Sequence, residues 1–229
     1  MAKLYGVGVG PGDPSLITIK ARDIIASADV ICVPKAKHEG ESIALKIVSP
    51  YLENQHILEV TMPMTKDKEI LRQSWVFAAG EVIKCLQDGK TVVFPTLGDV
   101  TIYSTFGYLA DAVQEIMPEA EIEMIPGITS FSAAAAKLNM RLTEGSEPLV
   151  IVPDIEETSL NEIFPKFSNA VLMKISAYWQ ELKDTLSGSN AEAVIVSRIG
   201  QQGENVNRNI EALTEKPDYL SLAIVKKKK

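Results

Sequence analysis

The sequence is poor in the residues from which disulfide frameworks, metal sites and membrane spans are made. Its two cysteines, Cys32 and Cys85, lie far apart in apolar surroundings without a CxxC spacing. That argues against a disulfide framework and a zinc site, and both read as buried structural thiols. The two histidines, His38 and His56, lack metal-ligand spacing, so no protein-bound metal is expected. No stretch approaches the roughly 18 uninterrupted apolar residues of a membrane span, and the first residues lack the features of a signal peptide. A cytoplasmic chain without membrane association is the expectation. Gly/Ser linkers, low-complexity segments and short repeats are missing too, so the two halves should pack closely. A net charge of -7 disfavours nonspecific nucleic-acid binding. It leaves open a small anionic ligand met by a local cluster of Lys and Arg, while the run 226–229 reads as a solvated basic tail.

What is present is a chain of 229 residues with 46% hydrophobic content, enough for one large domain or two small ones. Apolar strand-like runs at 4–9, 30–33, 57–62 and 92–94 alternate with helical patterns at 14–28, 42–52, 66–87 and 103–116. This predicts an α/β domain with a mainly parallel sheet over 1–118. Asp13 is placed to cap the first helix with Pro14 at its first position, and Gly89 to close the long third one. A second domain over 119–229 resumes with a strand at 122–125 and a helix at 129–138. Further strands are expected at 149–152, 171–173, 194–196 and 220–225.

Three strand-to-helix turns carry the functional signal: Gly8-Val9-Gly10-Pro11-Gly12-Asp13, Leu97-Gly98-Asp99 and Pro126-Gly127-Ile128-Thr129-Ser130. The first is not a dinucleotide fingerprint. G-x-G-x-x-G would need glycine where Asp13 stands, and a carboxylate there repels a pyrophosphate. No acidic residue ends the second strand to hold a ribose, since Val33 is followed by Pro34 and Lys35. Each turn alone serves equally as a plain connector, with Asp99 a loop-ordering cap and Thr129 and Ser130 a helix start. Loops at the carboxyl ends of sheet strands nevertheless converge on one crevice, and three together suggest a ligand site.

The order GVGPGDP, LGD at 97–99, PGITS at 126–130 and LMK at 172–174 resembles the tetrapyrrole methylase family over essentially the whole chain. Within it, Lys3-Leu4-Tyr5-Gly6, the segment 40–45, PGITSF and LMK are most similar to the members that methylate C-20 of precorrin-2 or cobalt-factor II. The resemblance implies a homodimer of two-domain α/β subunits, with a mainly parallel N-terminal sheet and a mixed C-terminal one. It implies S-adenosylmethionine as methyl donor in the cleft between domains and a tetrapyrrole in an adjoining trough. Pro11, Leu97, Gly98, Asp99, Ile102, Thr129, Ser130 and Met173 are the implied cofactor neighbours. Ile199, Gly200, Ser221 and Leu222 match the family less sharply. The family's usual GDP element appears here as Gly98-Asp99-Val100.

Methyl transfer from a sulfonium to an electron-rich carbon needs alignment more than a nucleophilic side chain, so no catalytic residue is named. The many carboxylates of the substrate call for cations. Lys35, Lys37, Lys137, Lys174 and Arg198 lie in or beside the loops, and Lys35, Lys174 and Arg198 are the expected substrate contacts. Another tetrapyrrole methylase activity, such as that on uroporphyrinogen III, and a non-catalytic S-adenosylmethionine-binding protein stay open as alternatives.

Overall fold

Five parallel strands, β1 (Leu4–Gly8), β2 (Val30–Pro34), β3 (His56–Val60), β4 (Val92–Thr96) and β5 (Ile122–Ile125), form one sheet in the order β3-β2-β4-β1-β5. The computed structural model describes residues 2–34, 42–63, 65, 67–153, 160–163, 165–187 and 189–227, the side chain of Asn161 excepted. Alternate strand residues point to opposite faces, and here both faces are apolar. Val7, Ile31, Val33 and Val93 pack with α1 (Ile19–Ser27) and α2 (Ile43–Val48). Leu4, Val30, Cys32, Val92 and Phe94 pack with α3 (Lys68–Gln87) and α4 (Phe106–Ile116). That double burial explains why these strands read as continuous apolar runs rather than alternating ones. Phe106, the first residue of α4, is fully buried and stands 5.9 Å from Phe94 between ring centroids. Its ring occupies the space a side chain on Gly6 would need: an added Cβ would lie 2.6 Å from the ring's Cγ.

Two local expectations change. The helix anticipated from Pro14 is only a 3-10 turn over Pro14–Leu16, and α1 begins at Ile19. Ile17 and Thr18 are extended, and the Thr18 hydroxyl accepts the Ala21 N–H at 3.2 Å, which makes Thr18 the true helix cap. Asp13 caps the 3-10 turn instead, accepting from Ser15 N–H at 2.8 Å. The second change concerns extent. The first compact unit covers Met1–Thr129 rather than ending at 118, because β5 pairs in parallel with β1 and belongs to its sheet.

The second unit, Ser130–Lys229, is built from α5 (Ser130–Lys137), β6 (Leu149–Val152), α6 (Leu160–Ile163), β7 (Asn169–Met173), α7 (Trp179–Ser187), β8 (Ala191–Ser197), β9 (Asn205–Asn207) and β10 (Ser221–Lys227). Its sheet has the order β6-β7-β10-β8-β9 and is mixed: β6 and β7 are parallel, and every other pair is antiparallel. Leu172, Ile195, Ala223 and Val225 pack beneath α6 and α7, and α5 lies against β10. The helix α7 was not anticipated. Its buried residues are only Trp179 and Leu182, too short a stripe to stand out in the sequence. No helix among the described residues is long and apolar enough to cross a membrane.

The long helix α3 divides into two parts. Its second half buries Ala78, Ala79, Val82, Ile83 and Leu86 against the sheet. In the first half Ile70, Val76 and Phe77 are exposed, Phe77 by 63%, and Trp75 stacks on the exposed Tyr108 of α4.

Candidate functional site

The strands β4, β1 and β5 are neighbours in a parallel sheet, so the three turns anticipated from the sequence leave the same edge side by side. The register levels their ends, with Gly8 opposite Thr96 and Val7 opposite Ile125. Gly10 and Gly98 then exchange both backbone hydrogen bonds, at 3.1 and 2.7 Å, and join the first turn to the second. The third turn is pressed into this pair. A Cβ on Gly8 would lie 2.6 Å from the Gly127 nitrogen and 2.8 Å from the Gly98 carbonyl oxygen, and one on Gly127 would strike that same oxygen. Gly98 is required for a different reason. It has open space where a side chain would point, but its φ of +79° is a left-handed conformation that residues with a Cβ resist.

Asp99 holds this assembly closed. One carboxylate oxygen accepts from the Gly127 N–H at 2.7 Å. The other accepts from the Thr101 N–H at 2.8 Å and from the Thr101 hydroxyl. Burial to 8% exposure resists ionisation of this carboxyl, but those three donors outweigh it and hold its pKa below the ordinary carboxylate value. Asp13 is likewise lowered, by the Ser15 N–H and hydroxyl. Two ionised carboxylates therefore attend the turns, an arrangement that repels phosphate and suits a ligand carrying positive charge. Residues 9–18 also separate β1 from α1, so the glycine turn does not open directly onto a helix N-terminus as a dinucleotide cradle does.

The remaining first-unit residues expected at the cofactor surround this floor. Pro11 is buried, while Leu97, Ile102 and Thr129 are half-buried in the same three turns. Those of the second unit gather at one end of its own sheet. Met173 lies opposite Leu222 across the β7–β10 ladder. Ser221 pairs with Ser197, their hydroxyls 2.7 Å apart. Ile199 and Gly200 follow β8 with Arg198 between, and Ser130 starts α5. The Gly200 N–H donates to Glu204 Oε2 at 2.7 Å, and Lys137 meets the other oxygen of Glu204 at 2.8 Å. Of the expected cations, Lys174 is exposed at the end of β7 with φ +53°. Arg198, with φ +51°, donates from Nε and Nη2 to Asp218 Oδ2 at 3.0 and 2.8 Å. Lys35 and Lys37 lie outside the described residues. A cavity of about 370 Å³ exists at the opposite end of this sheet, floored by Phe167, Ala170 and Val225, and among the described residues none of those expected at the site lines it.

Thr101, Glu204 and Asp218 were not singled out in the sequence, although each fixes a residue that was. Only Thr101 had a readable signal, the Asp-x-Thr spacing of an Asx turn. Glu204 and Asp218 act through pairings that no local pattern announces. The account of Asp99 predicts that Asp99→Asn destabilises the protein by about 1–3 kcal/mol, because an amide cannot accept all three bonds. A depressed carboxylate contributes stability above its unfolded pKa of about 3.9 and loses it as pH falls through the lower folded value. The stability difference between the two proteins should therefore be constant at neutral pH and shrink below about pH 4 in denaturant titrations. Curves that stay parallel into acid would show that Asp99 is not the staple.

Comparison with known proteins agrees with this geometry. The chain is 36% identical over 228 residues to the probable cobalt-precorrin-2 C(20)-methyltransferase of Methanocaldococcus jannaschii, covering 98% of this chain and 96% of that one. It is 32% identical to the cobalt-precorrin-2 C(20)-methyltransferase of Salmonella typhimurium, again covering 98% and 96%. The uroporphyrin-III C-methyl transferase of Thermus thermophilus, solved with S-adenosylhomocysteine, shares the fold with a TM-score of 0.68 at 18% identity, covering 98% of this chain and 92% of that one. The family described as Tetrapyrrole (Corrin/Porphyrin) Methylases matches residues 3–213. Two α/β units, three interlocked glycine turns and a match that runs through both units lead to one conclusion: this chain belongs to the tetrapyrrole methylase family.

Proposed function

We propose that this chain transfers a methyl group from S-adenosylmethionine to C-20 of cobalt-bearing precorrin-2, a step in corrin-ring synthesis. The observation that carries the reading is the near full-length identity with two relatives named for that reaction. Bound here, the cofactor would supply an electrophilic methyl group carried on a cationic sulfur. The residues present suit such a group. Gly98 offers open backbone without a side chain, Leu97 and Ile102 are half-buried and apolar, and the nearby ionised Asp13 and Asp99 favour a cation over a phosphate.

The chain's task is then positional. Holding the reacting carbon and the methyl in line is worth up to about 7–11 kcal/mol in favourable intramolecular cases, provided that the frame does not yield. The bonds from Asp99 to Thr101 and Gly127 supply that rigidity for the first-unit contacts, proposed as Pro11, Leu97, Gly98, Ile102 and Thr129, with Asp99 as their anchor. Ser130, Met173, Ile199, Gly200, Ser221 and Leu222 are proposed as the cofactor contacts of the second unit. Lys174 is the proposed contact for the substrate's carboxylates, as its side chain is exposed at a strand end. Arg198 joins it in this reading through a guanidinium already oriented by Asp218, and Lys35 is carried forward on the resemblance alone.

We also infer a homodimer in the cytoplasm. Ile70 and Phe77, seven residues apart on one face of α3, are exposed apolar side chains that a second copy would bury. Cys32, its thiol pushed up to about 12 by burial, and Cys85 are unpaired, as suits a reducing compartment. Phe77→Glu should convert a dimer to a monomer in analytical ultracentrifugation; an unchanged sedimentation coefficient would place the interface elsewhere.

The activity is tested by anaerobic incubation with S-adenosylmethionine and, separately, cobalt-bearing precorrin-2, metal-free precorrin-2 and uroporphyrinogen III, followed by mass spectrometry and NMR of the products. The expected result is one added methyl at C-20, formed fastest on the cobalt-bearing ring. Methylation at another carbon, or cofactor binding without a methylated product, would overturn the proposal.

A further inference from the structure

The 3-10 turn Pro14–Leu16 follows the first glycine turn and folds back on it. A Cβ on Gly10 would lie 3.2 Å from the Leu16 carbonyl oxygen, so the two stretches of backbone are in close contact. Gly10 is also the residue that exchanges both backbone hydrogen bonds with Gly98, and Pro11 beside it is buried. Where Pro14–Leu16 lies therefore bears directly on the floor that Gly10 and Gly98 form.

Most of the bonds that hold this turn are its own. Asp13 accepts the Ser15 N–H with its side chain at 2.8 Å and the Leu16 N–H with its carbonyl at 3.0 Å. The Pro14 carbonyl accepts the Ile17 N–H at 3.2 Å. A single 3-10 turn with bonds of this kind is weakly held by itself, because its hydrogen-bond geometry is poor. One further bond comes from far along the chain. The Tyr51 hydroxyl donates to the Pro14 carbonyl at 2.8 Å, across 37 positions of sequence. Among the described residues it is the one hydrogen bond that joins Pro14–Leu16 to anything beyond residues 13–17.

Tyr51 is itself firmly placed. It ends the 3-10 turn Ser49–Tyr51 that continues α2, and its half-buried ring packs against the apolar cluster that includes Ile25 of α1 and Ile47 of α2. A phenylalanine would fill that place equally well. The hydroxyl has a separate task, and the bond to Pro14 is what it does.

We propose that Tyr51 is a positioning residue for the methyl donor: its hydroxyl, acting through the Pro14 carbonyl, keeps Pro14–Leu16 against Gly10 and holds the Gly10–Gly98 floor in shape before the donor arrives. This rests on the S-adenosylmethionine reading above and adds to it a determinant of donor affinity that stands outside the floor. A site ordered in advance binds more tightly than one that its ligand must first order, and affinity falls in proportion to the share of molecules in which the site is out of place. Release of the turn weakens donor binding, while donor once bound restores the turn and reacts at an unaltered rate.

The test is Tyr51→Phe, which removes the hydroxyl and keeps the ring. Variant and parent are compared by calorimetry with S-adenosylhomocysteine, by KM and kcat for S-adenosylmethionine and for the tetrapyrrole, and by hydrogen exchange of backbone amides. The S-adenosylhomocysteine Kd and the S-adenosylmethionine KM should rise about fivefold, the size of one ordinary hydrogen bond, with kcat and the tetrapyrrole KM within about twofold. The Leu16 and Ile17 amides should exchange faster in the free variant and return to the parent's rate when S-adenosylhomocysteine saturates it, with the strand amides of β1 and β4 unchanged throughout. Parental S-adenosylhomocysteine affinity in Tyr51→Phe would reduce the bond to a structural tie. Weakened affinity with unchanged exchange at Leu16 and Ile17, or faster exchange spread over β1 and β4 as well, would show that the effect does not pass through the turn. Any of the three overturns the proposal. The parent keeps the two readings apart: if the unmodified protein binds no S-adenosylhomocysteine, the donor reading fails and takes the role of Tyr51 with it, whereas equal binding by parent and variant removes only the latter.

Discussion

The carboxylate of Asp99 accepts hydrogen bonds from two different strand-ending loops, and the geometry of the first unit's site depends on that double attachment. Its bond to the Gly127 N–H draws the turn after β5 against the turn after β4. The Gly10–Gly98 exchange draws in the turn after β1. The glycines are a condition of this closure, because any side chain on Gly8 or Gly127 would separate the backbones that Asp99 joins. An ionised carboxylate is the stronger acceptor, and the same donors that make it useful keep it ionised despite its burial. Local structure, electrostatics and ligand preference here follow from one interaction.

A rigid floor has a consequence for chemistry that relies on alignment. In-line transfer gains from fixed reactants, and a loop tied at Asp99 and at Ser104 can hold its side chains to a small spread of positions. The unfavourable φ of Tyr103 is the local cost of that fixation. The second unit follows a similar pattern at one end of its sheet. Lys174 and Arg198 both take left-handed conformations beyond strand ends, and Asp218 and Glu204 orient Arg198 and the Gly200 N–H. Paired charges at these positions define direction more than they add stability, since such partly exposed pairs contribute little.

Much of the architecture was legible because the first sheet is buried on both sides. Runs such as Val30–Pro34 and Val92–Thr96 could not be anything but central strands once helices were found between them. The three turns were legible as candidates from their glycines, and parallel topology alone brings them to one edge. Other features were not. Pro14 after Asp13 is a good helix start in isolation, yet the Thr18 hydroxyl captures a better one four residues later. The membership of β5 in the first sheet depends on long-range pairing with β1, which no local pattern records. Asp99 reads in sequence as a loop cap or a ligand contact alike, and its bond to Gly127 spans two strand-ending loops in a way that no local pattern records. Arg198 reads in sequence as an unpaired cation, and its partner Asp218 lies on a segment with no pattern to announce it.

The central claim is that the three glycine turns, closed by Asp99, form the floor on which the methyl donor rests. A crystal structure with S-adenosylhomocysteine tests it most directly. The account predicts the ligand's sulfur beside the 97–102 loop, with the bond from the Gly127 N–H to Asp99 intact. A sulfur bound away from that loop, or an Asp99 carboxylate that leaves Gly127 to bind the ligand, would contradict it.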